Sequence, residues 1–92
     1  MPDADMNADI RRMEQMERRF DGLCAAVKSG KIDHNAQQAA RMLEVYYTGG
    51  QWLSDYERDE RGGWPANLKR GVLSEDGLYD LLAQADALMN GE

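Results

Sequence analysis

The sequence has few of the residues that build metal sites and disulfides. Its 92 residues include one cysteine, Cys24, and one histidine, His34, so the usual zinc sets of three or four Cys/His ligands cannot form within one chain. We expect Cys24 to be a buried, inert thiol and His34 to lie exposed at the start of a helix. No nucleophile elbow and no glycine-rich phosphate-binding motif occurs. We therefore expect no metal, no cofactor and no catalytic residue, and we favour a chain that is not an enzyme.

Long apolar runs are also absent. No stretch approaches the roughly 18 residues that a membrane span needs, and residues 1–5 are acidic where a signal peptide is basic and then apolar. We expect a cytoplasmic protein that has no membrane partner. The two prolines and the scarcity of β-branched residues disfavour a chain made of sheet.

Negative charge dominates, and it is unevenly placed. The net charge is −6, and residues 49–92 carry four Lys/Arg against nine Asp/Glu. Nucleic-acid affinity comes largely from lysine and arginine, so we expect no direct nucleic-acid binding. An acidic surface could instead aid solubility, face a basic partner or imitate nucleic acid.

Apolar residues three and four positions apart predict two long helices. We place them at about 7–29 and 33–47, with Asn7 as the first N-cap and Gly30 as a left-handed C-cap. Because the connection is short, the two helices should form an antiparallel hairpin. Gly22, inside the first helix, indicates a close helix contact or a slight bend.

Glycine pairs and a serine cap divide the second half of the chain. Gly49-Gly50 and Gly62-Gly63 bound a short helix at about 51–61. An ordered loop follows, with room for one helical turn that begins at Pro65. Ser74 is a good N-cap for a last helix at about 75–89.

These elements predict an all-α fold, a small helical bundle that completes the hairpin with the short helix, the loop and the C-terminal helix. At this length the default is one domain over residues 1–92. We expect residues 1–6 to be a disordered tail.

The candidate functional surface lies within residues 49–80. We place Trp52, Leu53 and Tyr56 on one side of the third helix, with the two aromatic residues in the core, whereas Trp64 is either core or an exposed anchor for a partner. Lys69-Arg70 either pairs with carboxylates of the third helix or binds an acidic group of a partner. The candidate interaction patch comprises Trp64, Leu68, Lys69, Arg70, Glu75 and Asp76.

The third helix is rich in carboxylates. These could form a cation site or supply an acid and a base, but a run of charges is more commonly a solvated helix face, which is the interpretation we favour. The residues concerned are Asp55, Glu57, Asp59 and Glu60.

The same region carries a family resemblance. Gln51-Trp52-Leu53, and above all the string from Leu68 to Leu82, LKRGVLSEDGLYDLL, closely resemble a family of small bacterial proteins, domain of unknown function 4298. The resemblance implies a short, stand-alone helical domain with no assigned activity, cofactor or catalytic residue. Trp64 departs from the pattern, which has leucine before the loop proline.

Together these features favour a small protein-interaction module whose surface lies between Trp52 and Asp80. One alternative is an acidic mimic that occupies a nucleic-acid-binding protein, and another is a small metal-binding protein or enzyme that uses the helix carboxylates. Homo-oligomerisation is compatible with each of them, because the methionine-rich face of the first helix can exceed what a short bundle covers.

Overall fold

A computed structural model of the chain describes the backbone of residues 2–90, and the side chains of residues 6–74 and 76–90. Over this part of the chain the fold consists of four α-helices and one short 3₁₀ helix, with no strand, which confirms the predicted all-α bundle. The helices are α1 (Pro2–Ser29), α2 (His34–Thr48), α3 (Gln51–Glu60) and α4 (Glu75–Met89), and the 3₁₀ helix η1 (Gly71–Leu73) precedes α4.

Helices α1 and α2 form the predicted antiparallel hairpin. At the end of α1, Gly30 takes a φ of 77°, and the next amide, that of Lys31, donates to the Ala26 carbonyl at 3.2 Å. This left-handed C-cap reverses the chain within four residues. Asp33 then caps α2 by accepting from the Ala36 amide at 2.9 Å. The pairing of Met13 with Tyr46 shows that the helices run in opposite directions.

The N-cap predicted for α1 was wrong, and so was one of the two alternatives for Gly22, the close helix contact, whereas the slight bend stays a prediction. The helix begins at Pro2, so Asn7 lies inside it instead of capping it. A proline suits the first helical position because the amide it lacks would have no partner there. Gly22 is exposed, and a Cβ atom added to it would meet nothing within 4 Å, so no close contact requires this glycine. The disordered tail over residues 1–6 concerns order in solution and stays a prediction.

Helix α3 is bounded as predicted by glycines, and Gly50 and Gly62 take φ values of 95° and 72°. Leu53 does not join Trp52 on the buried side, because 53% of its surface is exposed. The predicted helical turn in the loop is displaced. Pro65 instead starts a β-turn in which the Leu68 amide donates to the Pro65 carbonyl at 3.1 Å, and the turn of helix comes later, as η1.

The core lies between the hairpin, α4 and η1. Helix α4 is capped as predicted, since Ser74 Oγ accepts from the Gly77 amide at 3.3 Å. No helix in the described part of the chain is long and apolar enough to cross a membrane. The most deeply buried side chains are Met13, Leu23, Leu43, Val72 and Leu78.

Candidate functional site

The structure separates the predicted interaction patch into buried and exposed members. Trp64 is in the core, with 4% of its surface exposed, so its interpretation as an exposed anchor was wrong. Leu68 and Arg70 are half-buried, and Lys69 and Asp76 are exposed. The side chain of Glu75 lies outside the described residues. Binding of a partner by this patch stays a prediction, and Trp64 is too buried to contribute to it.

Trp64 has a clear structural role. Its indole Nε1 donates to the Asp55 carbonyl at 3.1 Å, and the Arg58 guanidinium carbon lies 4.1 Å from the centroid of its ring. Arg58 also donates through Nε to the Gly63 carbonyl at 3.1 Å. These contacts fasten the start of the loop to α3, since a cation over an indole face is attracted by the electrons of the ring.

The basic pair is partly used inside the fold. Arg70 Nη1 donates to Asp59 Oδ1 at 2.7 Å, which is the predicted pairing with a carboxylate of α3. Of the two cations, Lys69 is the exposed one and remains accessible to a partner. The loop is therefore tied to α3 at both ends, by Arg58 at its start and by Arg70 at its end.

Asp55 is the main feature that the sequence did not predict. It was placed on a solvated helix face, yet 2% of its surface is exposed. Arg12 donates to it through both Nη atoms, at 2.5 and 3.2 Å. Tyr46 donates its hydroxyl at 2.6 Å, and Gln51 donates Nε2 at 3.1 Å. One carboxylate thus joins α1, α2 and α3.

The network around Asp55 continues to the start of α1. Asp9 accepts from Arg58 Nη1 at 2.8 Å and from Arg12 Nη2 at 3.4 Å. The hydrogen bond from Arg58, with the further hydrogen bond from Arg12, lowers the pKa of Asp9 below its ordinary value. Burial, and then the hydrogen bond to Asp55, raises the pKa of Tyr46. The set Asp9, Arg12, Tyr46, Gln51, Asp55 and Arg58 is called the Asp55 network below.

The carboxylate of Asp55 is fully occupied by hydrogen bonds within the fold. A carboxylate has about four acceptor sites, and four donors from three side chains occupy those of Asp55. Such a group has no free lone pair with which to accept a substrate proton. Within the described residues, no group of three or more Cys, His, Asp or Glu is arranged to hold a metal ion.

A second buried carboxylate, Glu17, holds the short helix η1. Its Oε1 accepts from the Val72 amide at 2.8 Å. The carbonyl of the same residue, Val72, accepts from Trp52 Nε1 at 2.9 Å. Trp52 is buried, as expected, and Tyr56 stacks on it with 5.1 Å between the ring centroids. The predicted core position of Trp52 is confirmed, and Tyr56 is half-buried.

The sequence did contain a signal for both buried carboxylates. Glu17 lies four residues after Met13 and three before Phe20, so it is on the same face of α1 as the apolar residues. Asp55 follows Trp52 by three residues in the same way. A charged residue in register with an apolar face is a candidate for a paired, buried charge.

An apolar groove lies on the surface between α1 and α2. It has a volume of about 500 Å³ and is open along one side. Two large apolar side chains of its lining are exposed: Val45 at 70% and Met42 at 46%. The lining of this α1/α2 groove comprises Arg12, Met16, Arg41, Met42, Val45, Tyr46, Gly49 and Gln51.

The remaining candidates lie away from this groove. Cys24 is half-buried rather than fully buried, and burial raises the pKa of its thiol, which favours the protonated form over the thiolate. His34 is exposed at the first position of α2, as predicted. In the acidic half, Asp55 and Asp59 are neutralised by arginines, which leaves exposed carboxylates on α3 and α4.

Comparison with known proteins identifies a family without assigning an activity. No curated protein and no solved structure matches the chain significantly. The profile of one family, described as Domain of unknown function (DUF4298), matches residues 10–91. This range includes α1 from Ile10 onward, all of α2 and α3, η1 and α4. Since the match covers far more than half of the sequence, the chain belongs to the family Domain of unknown function (DUF4298).

Proposed function

We propose that the chain is a protein-interaction module without catalytic activity, and that the α1/α2 groove is its docking surface. The exposure of Val45 and Met42 beside Met16 is the observation that carries this proposal. Contiguous exposed apolar surface is unfavourable in water, and on a small folded protein it often marks a binding site. Methionine suits such a site because its flexible side chain adapts to a partner.

The shape of the groove favours a macromolecular partner over a small ligand. Sites for small molecules usually enclose most of the ligand, whereas this groove is open along its length between two helices. The floor is Tyr46, whose hydroxyl is fixed by Asp55. The Asp55 network therefore gives the groove a rigid base, and a preorganised surface loses less entropy when it binds.

The test compares two apolar-to-acidic substitutions on the surface. Val45→Glu places a charge in the groove, and Leu53→Glu makes the same kind of change at a half-exposed site outside it. Tagged wild-type and variant chains are used for affinity capture from cells that express the protein, with quantitative mass spectrometry. Each captured protein is then purified and titrated against all variants. We expect Val45→Glu to weaken binding by about tenfold or more, since a carboxylate would have to be desolvated against the apolar residues of the partner, and Leu53→Glu to leave it unchanged.

A third variant separates this surface from the patch predicted from the sequence. Lys69→Glu/Arg70→Glu removes the basic pair and leaves the groove intact. Loss of binding with this variant but not with Val45→Glu would place the interface at the loop and refute the groove. Equal binding by all the variants would refute both surfaces. Circular dichroism of each variant verifies that it is folded.

A further inference from the structure

We infer that the occupant of the α1/α2 groove is an amphipathic helix of a partner protein that carries carboxylates beside its apolar residues. This inference rests on the proposed function and adds the conformation and the charge of the bound segment. It is carried by the spacing of the groove wall and by the signs of the charges that line it.

The wall of the groove has the dimensions of a helix-binding surface. Met42 and Val45 on α2, and Gly49 directly after its end, follow one another at intervals of three and four residues, which is about 10 Å at 1.5 Å per residue. Two turns of a partner helix fit this length and would present apolar side chains at positions i, i+3 or i+4, and i+7.

The groove does not have the features that two other common modes of peptide recognition require. Addition of a strand needs an exposed sheet edge, and the described part of the chain has no strand. Proline-rich segments dock in grooves lined by aromatic rings, whereas the exposed wall here is methionine and valine. The one aromatic ring of the lining, that of Tyr46, is buried.

The charge of the groove selects an acidic partner. The chain as a whole carries 17 Asp/Glu against 11 Lys/Arg, yet the charged residues that line the groove are two arginines and no carboxylate. Arg12 is held by Asp55, whereas Arg41 is exposed and makes no ion pair with any residue in the described range. Arg19 is half-buried, and its contact with Met16 Sδ at 3.6 Å places a second positive charge beside this lining residue.

The same charges disfavour a second copy of the chain as the occupant. A symmetric pairing of groove against groove would bring together two linings whose charged residues are arginines, with no carboxylate. Like charges across an interface oppose association. A helix with glutamates or aspartates beside its apolar residues would instead place opposite charges at both edges.

The experiment selects a ligand without assuming its sequence. Random 16-residue peptides displayed on phage are selected for binding to the wild-type chain after removal of those that bind Val45→Gln, which is polar at the same site but uncharged. The inference predicts enrichment of helical peptides with apolar residues spaced by three and four and an excess of Asp and Glu. An enriched peptide, labelled with fluorescein, is then titrated against the wild-type chain, Arg41→Glu and the control Arg61→Glu, whose exposed arginine lies outside the groove.

We expect Arg41→Glu to weaken binding about tenfold at low salt, with a smaller effect at high salt, and Arg61→Glu to change it less than about twofold. Enriched peptides that lack an acidic excess, or that are extended and proline-rich, would overturn the inference. So would a failure to select any groove-dependent peptide. A dimer of the wild-type chain in light scattering that Val45→Glu dissociates would make a second copy the occupant and overturn it too.

Failure of this inference is distinguishable from failure of the proposed function. If a captured partner loses affinity for Val45→Glu but keeps it for Arg41→Glu, the groove is the docking surface and the acidic helix is wrong. If the captured partner binds Val45→Glu normally, the proposed function itself is wrong at this surface.

Discussion

Replacement of Asp55 by asparagine tests the central structural conclusion, that a carboxylate on α3 holds three helices together. The amide has nearly the same shape as the carboxylate, so the substitution removes charge without making a cavity. Both oxygens of Asp55 accept two hydrogen bonds each. Whichever oxygen becomes NH₂ then meets two donors, and Arg12 loses its buried counter-ion.

The expected cost follows from the burial of the pair. Removing one partner of a buried ion pair costs about 3 to 5 kcal/mol. Arg12 retains some contact with solvent, since 27% of its side chain is exposed against 3% for Asp55, so we expect a loss near the lower end, about 3 kcal/mol. At about 4 to 8 °C per kcal/mol for a chain of this size, Tm should fall by about 12 °C or more.

The control is Asp59→Asn, the same change four residues along the same helix. Asp59 and its partner Arg70 have side chains that are 33% and 28% exposed, and such pairs contribute about 0 to 1 kcal/mol. Urea unfolding followed by tryptophan fluorescence measures both variants, because Trp52 and Trp64 are buried and report on folding. If the two variants lose free energies of unfolding that agree within about 1 kcal/mol, Asp55 contributes no more than an exposed ion pair does, and its assigned role is refuted.

Two further predictions concern single groups. Gly22→Ala should raise the free energy of unfolding by about 0.5 to 1 kcal/mol, because the site is helical and open. Gly30→Ala should lower the free energy of unfolding, because Gly30 has a φ of 77°. Thermal unfolding tests both variants, and a loss of stability for Gly22→Ala would contradict the open site. Burial and the hydrogen bond to Asp55 raise the pKa of Tyr46 above the ordinary value of 10.0, so the neutral phenol is favoured in the folded chain. The stabilisation that follows from this shift is fully present below pH 10 and falls as the pH rises beyond 10. Urea titrations above pH 10 should show a steeper loss for the wild-type chain than for Tyr46→Phe, and parallel slopes would contradict this.

The helices could be predicted because their causes are local. The apolar stripes, Gly30 after α1 and Ser74 before α4 act within one or two turns of helix. The start of α1 was missed because Asn7 has the chemistry of a cap, while the helix continues to Pro2 without needing one. A good capping residue permits a helix to begin and does not require it to do so.

The site was harder to predict because its contacts are distant in sequence. Asp55 and Arg12 are 43 residues apart, and Glu17 and Val72 are 55 apart. No local pattern gives the partner of a buried charge, although the register of Asp55 with Trp52 could have indicated its burial. The α1/α2 groove depends on the side of the hairpin that α4 leaves uncovered, which is a property of packing alone.

The double attachment of Val72 bears on the order in which the chain is made and folded. Until Val72 is synthesised, Glu17 has no amide to accept from and Trp52 has no carbonyl to donate to. The 20 residues that separate Trp52 from Val72 take about one to four seconds to translate at 5 to 20 residues per second. During that interval the carboxylate of Glu17 and the indole of Trp52 lack the Val72 partners that they bind in the folded chain. The segment from Leu68 to Leu82 therefore supplies the backbone groups that Glu17 and Trp52 bind, and these two side chains gain their partners only after it is made.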